Sequence, residues 1–237
     1  MDLRKFAACC IAAVAAVLFT ASAAAQKTSQ TTPQPGARHE TNASREARIQ
    51  RTIQDTYTHQ WEVFGGGGYM RFTSGVYTQK NNEVTWNFTP HYYLNPKLAI
   101  VVDTRGMFGN GKPLRTQTQA INPQINQYAF TGGVGYRFYS HLHYALSAEG
   151  LAGVGIGNFS GASKGLTYVQ TGFWQDAARP AFVINLAGDI NLYPNIAFRV
   201  LPTYVLTTFT SPSGGSVQNN LGINFGVIYR FGRQQPK

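Results

Sequence analysis

The chain that follows residue 25 lacks cysteine, carries little charge and contains no long apolar run. Both cysteines, Cys9 and Cys10, lie in the N-terminal segment, so a chain without that segment forms no disulfide and no thiolate metal site. Charged residues make up 13% of the sequence, against about 25% in a typical soluble domain. No later segment reaches the run of about 18 apolar residues that indicates a membrane-spanning helix.

The N-terminal segment, residues 1–25, has the parts of a cleaved secretory signal peptide. Arg4 and Lys5 form a basic start, an apolar stretch covers 6–21, and three alanines at 23–25 provide an A-x-A site. These features predict cleavage after Ala25, with export of the rest of the chain. A retained membrane anchor is the alternative.

The net charge of +10 raises the possibility of nucleic-acid binding. Nucleic-acid-binding domains cluster their basic residues on one face or in one stripe. Here the basic residues form no dense run and the chain is expected to be exported, so no nucleic-acid partner is predicted.

A period-two alternation of apolar and polar residues begins at Trp61 and continues to residue 232. Each run has ten or more residues, which is enough for a tilted strand to cross a membrane, since that needs about 9–11. Strands of soluble proteins average about 5–6 residues. The eight runs cover 61–73, 82–95, 97–109, 126–139, 142–157, 180–193, 196–209 and 218–232.

The connections between these runs alternate in length. Short turns follow the second, fourth and sixth runs, and longer links rich in Gly, Asn, Ser, Thr and Pro follow the others. Short turns at one end and long loops at the other are typical of transmembrane barrels. The sequence therefore predicts an all-β fold, an eight-stranded antiparallel up-and-down transmembrane β-barrel with a short N-terminal helix, whose termini both lie on the periplasmic side.

The two faces of the runs differ in polarity. One face is apolar and aromatic, and we expect it to contact lipid; its representatives are Tyr136, Phe182, Phe198, Phe225 and Tyr229. The other face carries small and polar residues and the charged residues Glu62, Asp103, Arg105, Arg137, Glu149, Asp189, Arg199 and Arg230. A soluble barrel or sandwich with the aromatic face inward is the alternative, but so many large side chains would overfill an interior that eight strands leave barely wide enough for side chains.

The charged residues of the polar face are four acids and four arginines. Buried charges persist only when they are paired and hydrogen-bonded, so this balanced set predicts a structural network in a packed lumen. A conducting pore lined by charge is the alternative. His91 lies on the same polar face as these charged residues, and the sequence offers no evident ligand partner for it.

Aromatic residues also gather near the short turns, where rings favour the lipid headgroup level. This predicted belt comprises Tyr92, Tyr93, Phe138, Tyr139, Tyr144, Tyr193, Phe198, Tyr229 and Phe231.

The segment before the strands divides into a linker and a helix. Residues 26–42 are rich in Gln, Thr, Ser and Pro, and in 44–58 Ile49, Ile53 and Tyr57 recur at helical spacing after the candidate cap Ser44. We interpret 44–58 as a short helix packed on the barrel mouth, with a membrane-surface helix or a partial plug as alternatives. The predicted boundaries are 1–25 for the signal peptide, 26–60 for the periplasmic linker and helix, 61–232 for the barrel and 233–237 for the tail.

Residues 61–232 resemble the OmpA/OmpX-type outer-membrane barrel family, which is porin-like in broad usage. The resemblance rests on the strand count, the loop alternation and the final run NFGVIYRF, although GRQQPK follows Phe231. It implies an outer-membrane location in a Gram-negative-type cell and insertion by the barrel-assembly machinery.

The sequence favours a structural or interaction role over two alternatives, a small channel and a lipid A-modifying enzyme. Candidate catalytic groups, Ser140 or Ser147 with His141 or His143, lie at a turn expected to face the periplasm, away from the outer leaflet. No catalytic, cofactor-binding or metal-binding residue is predicted. Outer-membrane lipid and lipopolysaccharide are the expected partners, with loop residues Lys112 and Arg115 as possible phosphate contacts, and the oligomeric state stays open.

Overall fold

The protein contains eight long strands, β1 to β8, that follow one helix, α1. This computed structural model describes residues 41–73, 75, 78–113, 123–161, 163, 165–211, 214–215 and 217–234. The strands are β1 His59–Thr73, β2 Thr78–Tyr93, β3 Leu98–Asn110, β4 Gln124–Ser140, β5 Tyr144–Gly161, β6 Ala177–Tyr193, β7 Ile196–Thr207 and β8 Gln218–Arg233. The predicted signal peptide and the end of the tail lie outside the described residues.

The sheet closes on itself as an all-antiparallel barrel. Each long strand pairs with its neighbour in the sequence, and β1 also pairs with β8 along Glu62↔Arg230 and adjacent positions. Closure removes the exposed sheet edges that an open sheet presents. The predicted fold, an eight-stranded up-and-down β-barrel with a short helix, is confirmed.

The connections after β2, β4 and β6 are short, and those after β3, β5 and β7 are long, as the sequence predicts. The predicted long link after the first strand, 74–81, is wrong: β2 already begins at Thr78, so this connection is only four residues long. The turn after β2 is fixed by Asn95, whose Oδ1 accepts hydrogen bonds from the backbone N–H groups of Lys97 (2.9 Å) and Leu98 (2.8 Å). This arrangement is an Asx turn, which lets the chain reverse within a few residues. The long link after β5 contains a second, one-turn helix, α2 Tyr168–Thr171.

Helix α1, Asn42–Tyr57, begins two residues before its predicted start. Its N-terminal part is exposed, Ile49 and Ile53 are half-buried, and only Thr56 and Tyr57 are buried. The helix is therefore attached to the barrel through its last turn. Within the residues that the structure describes, no helix has both the length and the apolar character needed to cross a membrane.

The barrel interior is filled by charged side chains and by three apolar groups. One apolar group joins Phe64 to Ala187, Ala197, Leu201 and Ile228. Gly66 leaves room there, because a Cβ at this position would lie 2.6 Å from the backbone oxygen of Phe225 and 2.7 Å from the ring of Phe64. Most of the charged residues lie nearer the short turns, and Glu83 lies toward the long loops. A second apolar group extends along the strands from Tyr93 and Ala99 to Met70 and Val183. A third group, at the end with the long loops, comprises Phe72, Ile125, Phe159, Phe173, Trp174 and Phe209.

Candidate functional site

The candidate site is the charged network inside the barrel. All eight charged residues that the sequence assigns to the lumen are buried, and none is more than 3% exposed. Seven strands supply these residues, and β2 supplies His91, which is also buried. The network therefore joins all eight strands across the interior.

Glu62 lies at the centre of this network. Its Oε1 accepts a hydrogen bond from Arg199 Nη2 at 2.6 Å. Its Oε2 accepts from Arg230 Nε at 2.8 Å and from Arg137 Nη2 at 3.0 Å. One carboxylate thus holds guanidinium groups from β4, β7 and β8, and charge-assisted bonds of this kind are about twice as strong as neutral ones.

Asp189 holds Arg199 from the other side. Arg199 Nε and Nη2 donate to the two oxygens of Asp189 at 2.6 and 2.9 Å, a bidentate pair. The two residues are direct partners in the β6–β7 ladder. Asp189 also lies 3.6 Å from Arg230 Nη2. The remaining nitrogen of the Arg199 guanidinium, Nη1, lies 3.4 Å from His91 Nε2 and 3.6 Å from Glu149 Oε1. Every hydrogen-bonding edge of Arg199 therefore faces an acid or His91.

Two further acids complete the network. Glu149 pairs with His91 Nε2 at 2.9 Å and accepts from Asn185 Nδ2 at 2.8 Å. Asp103 accepts from Arg105 Nε at 2.6 Å. His91, which had no evident partner in the sequence, is therefore part of the network.

Tyr93 and Glu83 are lumen residues that the sequence interpretation placed elsewhere or left out. Tyr93 does not belong to the aromatic belt, because it shares the inward parity of His91; it is 5% exposed, and its hydroxyl accepts a hydrogen bond from Arg137 Nη2. Glu83 is fully buried and accepts from Gln127 Nε2 at 3.0 Å. Among the described residues no cation lies within ion-pair distance of Glu83, so the lumen holds a fifth acid beyond the predicted balance of four and four. The alternation that marks His91 as inward marks Glu83 equally.

Tyr57 closes the barrel below the network. Its hydroxyl donates to the backbone oxygen of His141 at 2.8 Å and accepts from Asn191 Nδ2 at 2.7 Å. The Arg137 guanidinium lies 4.8 Å from the centre of its ring, within cation–π distance. Burial raises the pKa of the Tyr57 hydroxyl above its usual value. The last turn of α1 thus lies at the mouth on the short-turn side, with the ring of Tyr57 against the buried Arg137 and Arg230.

The opposite mouth is covered by the aromatic group of the long loops. Trp174 Nε1 donates to the backbone oxygen of Thr73 at 2.6 Å, which ties the link after β5 to the end of β1. The rings of Phe159 and Phe209 pack edge to face with their centres 5.0 Å apart. The sequence interpretation missed this cover because Phe173 and Trp174 lie in a loop, where no periodicity indicates that they meet Phe72, Ile125 and Phe159 at the strand ends.

The outer face of the barrel is apolar. Tyr136, Phe182, Phe225 and Tyr229 are between 44% and 52% exposed there, and Phe198 is half-buried. Near the short turns Trp61 packs edge to face on Tyr92, with ring centres 4.9 Å apart, and stacks on Phe231 at 6.3 Å. A contiguous exposed apolar surface of this kind marks a contact with membrane or protein.

The residues considered for catalysis are not assembled into a site. Ser140, His141 and His143 are exposed beside a short turn, whereas Ser147 is buried. No hydrogen bond joins either histidine to the hydroxyl of Ser140 or Ser147, and the described residues contain no group of three potential metal ligands. The loop cation Arg115 and the side chain of Lys112 lie outside what the structure describes.

Two outer-membrane proteins with solved structures are similar to this chain in fold. Neisserial surface protein A shares 11% identity over 73% of this chain and 97% of its own, with a TM-score of 0.53. The outer membrane protein OprG of Pseudomonas aeruginosa shares 10% identity over 75% of this chain and 99% of its own, with a TM-score of 0.51. No family model and no curated protein matches the sequence. The chain therefore has the fold of the OmpA/OmpX-type eight-stranded barrels.

Proposed function

We propose that this protein is an outer-membrane barrel with a structural or interaction role, whose lumen is sealed and whose contacts are made by its loops and outer face. The observation that carries this proposal is the filled interior: the network of Glu62 and its arginines, the apolar group that extends along the strands beside it, and covers at both mouths. An eight-stranded barrel has space for side chains and little more.

Planar-bilayer recordings test the sealed lumen. The wild-type protein should show no steady conductance when its insertion is verified independently. A steady open pore, altered by Arg199→Ala or Arg105→Ala, would instead support the second candidate, a small channel for ions or small solutes. That candidate is favoured by buried amide atoms of Asn87 and Asn220 that have no hydrogen-bond partner within the described part of the chain, because water can bind where such polar atoms line a space.

We propose an outer-membrane location, reached after removal of the signal peptide and insertion by the barrel-assembly machinery. The apolar outer face, the loop asymmetry and the folds of similar structures support this location. Cell fractionation combined with heat-modifiable gel mobility tests it: a folded barrel in the outer-membrane fraction resists SDS until it is boiled. Recovery as a soluble periplasmic protein would contradict the location.

We propose that the protein has no catalytic activity and needs no cofactor. The separation of Ser147 from the exposed histidines supports this view, because a nucleophile needs a base within hydrogen-bond reach. Mass spectrometry of lipid A after deletion and overexpression is the test. A change in acylation that follows the protein level would establish a lipid-modifying enzyme instead.

A further inference from the structure

We infer that Arg71 and Lys80 form a binding site for a phosphate of a phosphorylated glycolipid in the outer leaflet. The site lies on the outer face of the barrel, at the ends of β1 and β2 near the long loops. The inference rests on the proposed outer-membrane location, which cell fractionation tests, and does not depend on a sealed lumen, which bilayer recordings test separately.

The distribution of charge over the barrel is the first observation. All five acids of the eight long strands, namely Glu62, Glu83, Asp103, Glu149 and Asp189, are buried in the lumen. The outer face therefore presents no carboxylate in the described strands. Arg71 and Lys80 are exposed there, and neither side chain makes an ion pair within the described part of the chain.

The β1–β2 register places the two cations side by side. Arg71 is the direct partner of Asn82, and Thr73 is the direct partner of Lys80. Lys80 is thus the diagonal neighbour of Arg71 on the same face, at a Cβ separation of about 7–8 Å that long side chains bridge. The exposed Asn82 is directly opposite Arg71 and two residues from Lys80 on β2, so an arginine fork, an ammonium group and an amide can converge on one phosphate.

The depth of the pair in the membrane is the second observation. Trp61, in the aromatic cluster near the short turns, precedes Arg71 by ten residues on the same strand face. With a rise of about 3.3 Å per residue and a tilt of about 40°, this distance spans about 25 Å along the barrel axis, the height of the apolar band of such barrels. Arg71 therefore lies at the far edge of the hydrocarbon, where the phosphates of outer-leaflet glycolipids lie, and Lys80 lies just beyond it.

The apolar neighbours of the pair fit a lipid rather than a free anion. On the same face, Leu221 is the direct partner of Arg71 on β8, and Tyr69 pairs with Val84 one step closer to the short turns; these three side chains are 67%, 42% and 65% exposed. Acyl chains can pack on these side chains while the headgroup phosphate contacts the cations. A free phosphate would gain nothing from this apolar surface.

Lipid binding by the full mature protein tests the site, with a control that changes the same amount of charge. The protein is placed in zwitterionic nanodiscs that contain a small fraction of bisphosphorylated lipid A, and the retained lipid is measured by native mass spectrometry. Arg71→Gln with Lys80→Gln removes the pair. Lys97→Gln with Arg233→Gln removes two exposed cations at the opposite, short-turn end.

We expect the Arg71/Lys80 double variant to lose about 30-fold in apparent affinity, because each cation near an anionic lipid surface contributes a factor of about five. The charge-retaining swap, Arg71→Lys with Lys80→Arg, should keep most of the binding, and the Lys97/Arg233 variant should match the wild type. Dephosphorylated lipid A should bind the wild type and the double variant equally.

Three outcomes would overturn the inference. The Arg71/Lys80 variant could bind as the wild type does, which would show that the pair makes no contact. Both double variants could lose binding equally, which would indicate net charge rather than a site. Inorganic phosphate could displace the lipid from the wild type, which would assign the cations to a free anion. Heat-modifiable mobility verifies that every variant is folded before it is measured.

Discussion

Replacing Glu62 with glutamine removes the central charge of the lumen while keeping the shape of the side chain. Three guanidinium groups lose part of their compensation, those of Arg137, Arg199 and Arg230. The amide that replaces the carboxylate also presents an N–H group to at least one of these donors. The change therefore tests whether the network stabilises the barrel.

The expected loss in the free energy of unfolding follows from the acids that remain around each arginine. Arg199 keeps Asp189 at 2.6 Å and Arg230 keeps it at 3.6 Å, whereas Arg137 loses its only acid partner among the described residues. Removing one partner of a buried ion pair costs about 3–5 kcal/mol, because a buried charge is left uncompensated. We expect Glu62→Gln to lower the free energy of unfolding by this amount.

Urea-induced unfolding in phospholipid vesicles measures the change. Asp55→Asn is the matched control, since Asp55 is exposed on α1 and surface substitutions usually stay within about 0.5 kcal/mol. Adding Arg137→Gln to Glu62→Gln should recover part of the loss, because the uncompensated cation is removed, and the double-mutant cycle gives the coupling energy. A loss below about 1 kcal/mol for Glu62→Gln, with an unchanged denaturant slope, would refute the reasoning.

Three other predictions concern the outer face and the two mouths. Phe225→Arg, at the middle of β8, should lower the free energy of unfolding in vesicles by about 2–4 kcal/mol. The control Phe225→Leu should lower it far less, and equal effects of the two substitutions would place this face outside lipid. Tyr57→Phe should speed limited proteolysis of α1, because the hydrogen bond to His141 is lost, and unchanged cleavage would show that the hydroxyl does not hold the helix. The pKa of the Tyr57 hydroxyl is raised, so its contribution to holding α1 on the barrel should be complete below the ordinary tyrosine pKa near 10 and should fall as the pH rises above it. Proteolysis of α1 at a rate that does not change with pH in this range would contradict this role of the hydroxyl. Trp174→Ala should expose the link after β5 to protease added to intact cells, because its bond to the backbone of Thr73 is lost, whereas continued resistance would contradict the tie.

Strand parity explains why so much of the barrel is predictable from the sequence. Side chains alternate strictly along a strand, so one inward residue such as Arg199 fixes the orientation of every other residue in β7. The same rule places Tyr93 and Glu83 in the lumen. The sequence interpretation assigned Tyr93 to the aromatic belt because it is aromatic, although its parity is inward. It left Glu83 out of the set of lumen charges.

The contacts within the lumen depend on distances that parity does not provide. Asp189 and Arg199 flank a short turn at nearly equal distances, so their pairing follows from hairpin register. Glu62 and Arg137 are 75 positions apart in the sequence and belong to non-adjacent strands. Their contact depends on the tilt and stagger with which the whole barrel closes, and a linear pattern contains no information on either.

The aromatic cover of the long-loop mouth was not predictable for a different reason. Phe159 lies at the end of a strand, and Phe173 and Trp174 lie in the link after β5, where neither helical nor strand periodicity applies. Their association is set by loop conformation, including the bridge between Gly75 and Phe173. Composition alone identified these connections as polar.

Fluorescence quenching of Trp86 tests most directly the claim that the apolar face contacts lipid and the charged face lines a closed interior. Trp86 is 40% exposed on the outer face of β2, and a variant with Trp61→Phe and Trp174→Phe leaves it as the sole tryptophan. In vesicles whose acyl chains are brominated, we predict strong quenching of this variant and little quenching by aqueous iodide. Strong quenching by iodide with none by the brominated chains would contradict the account.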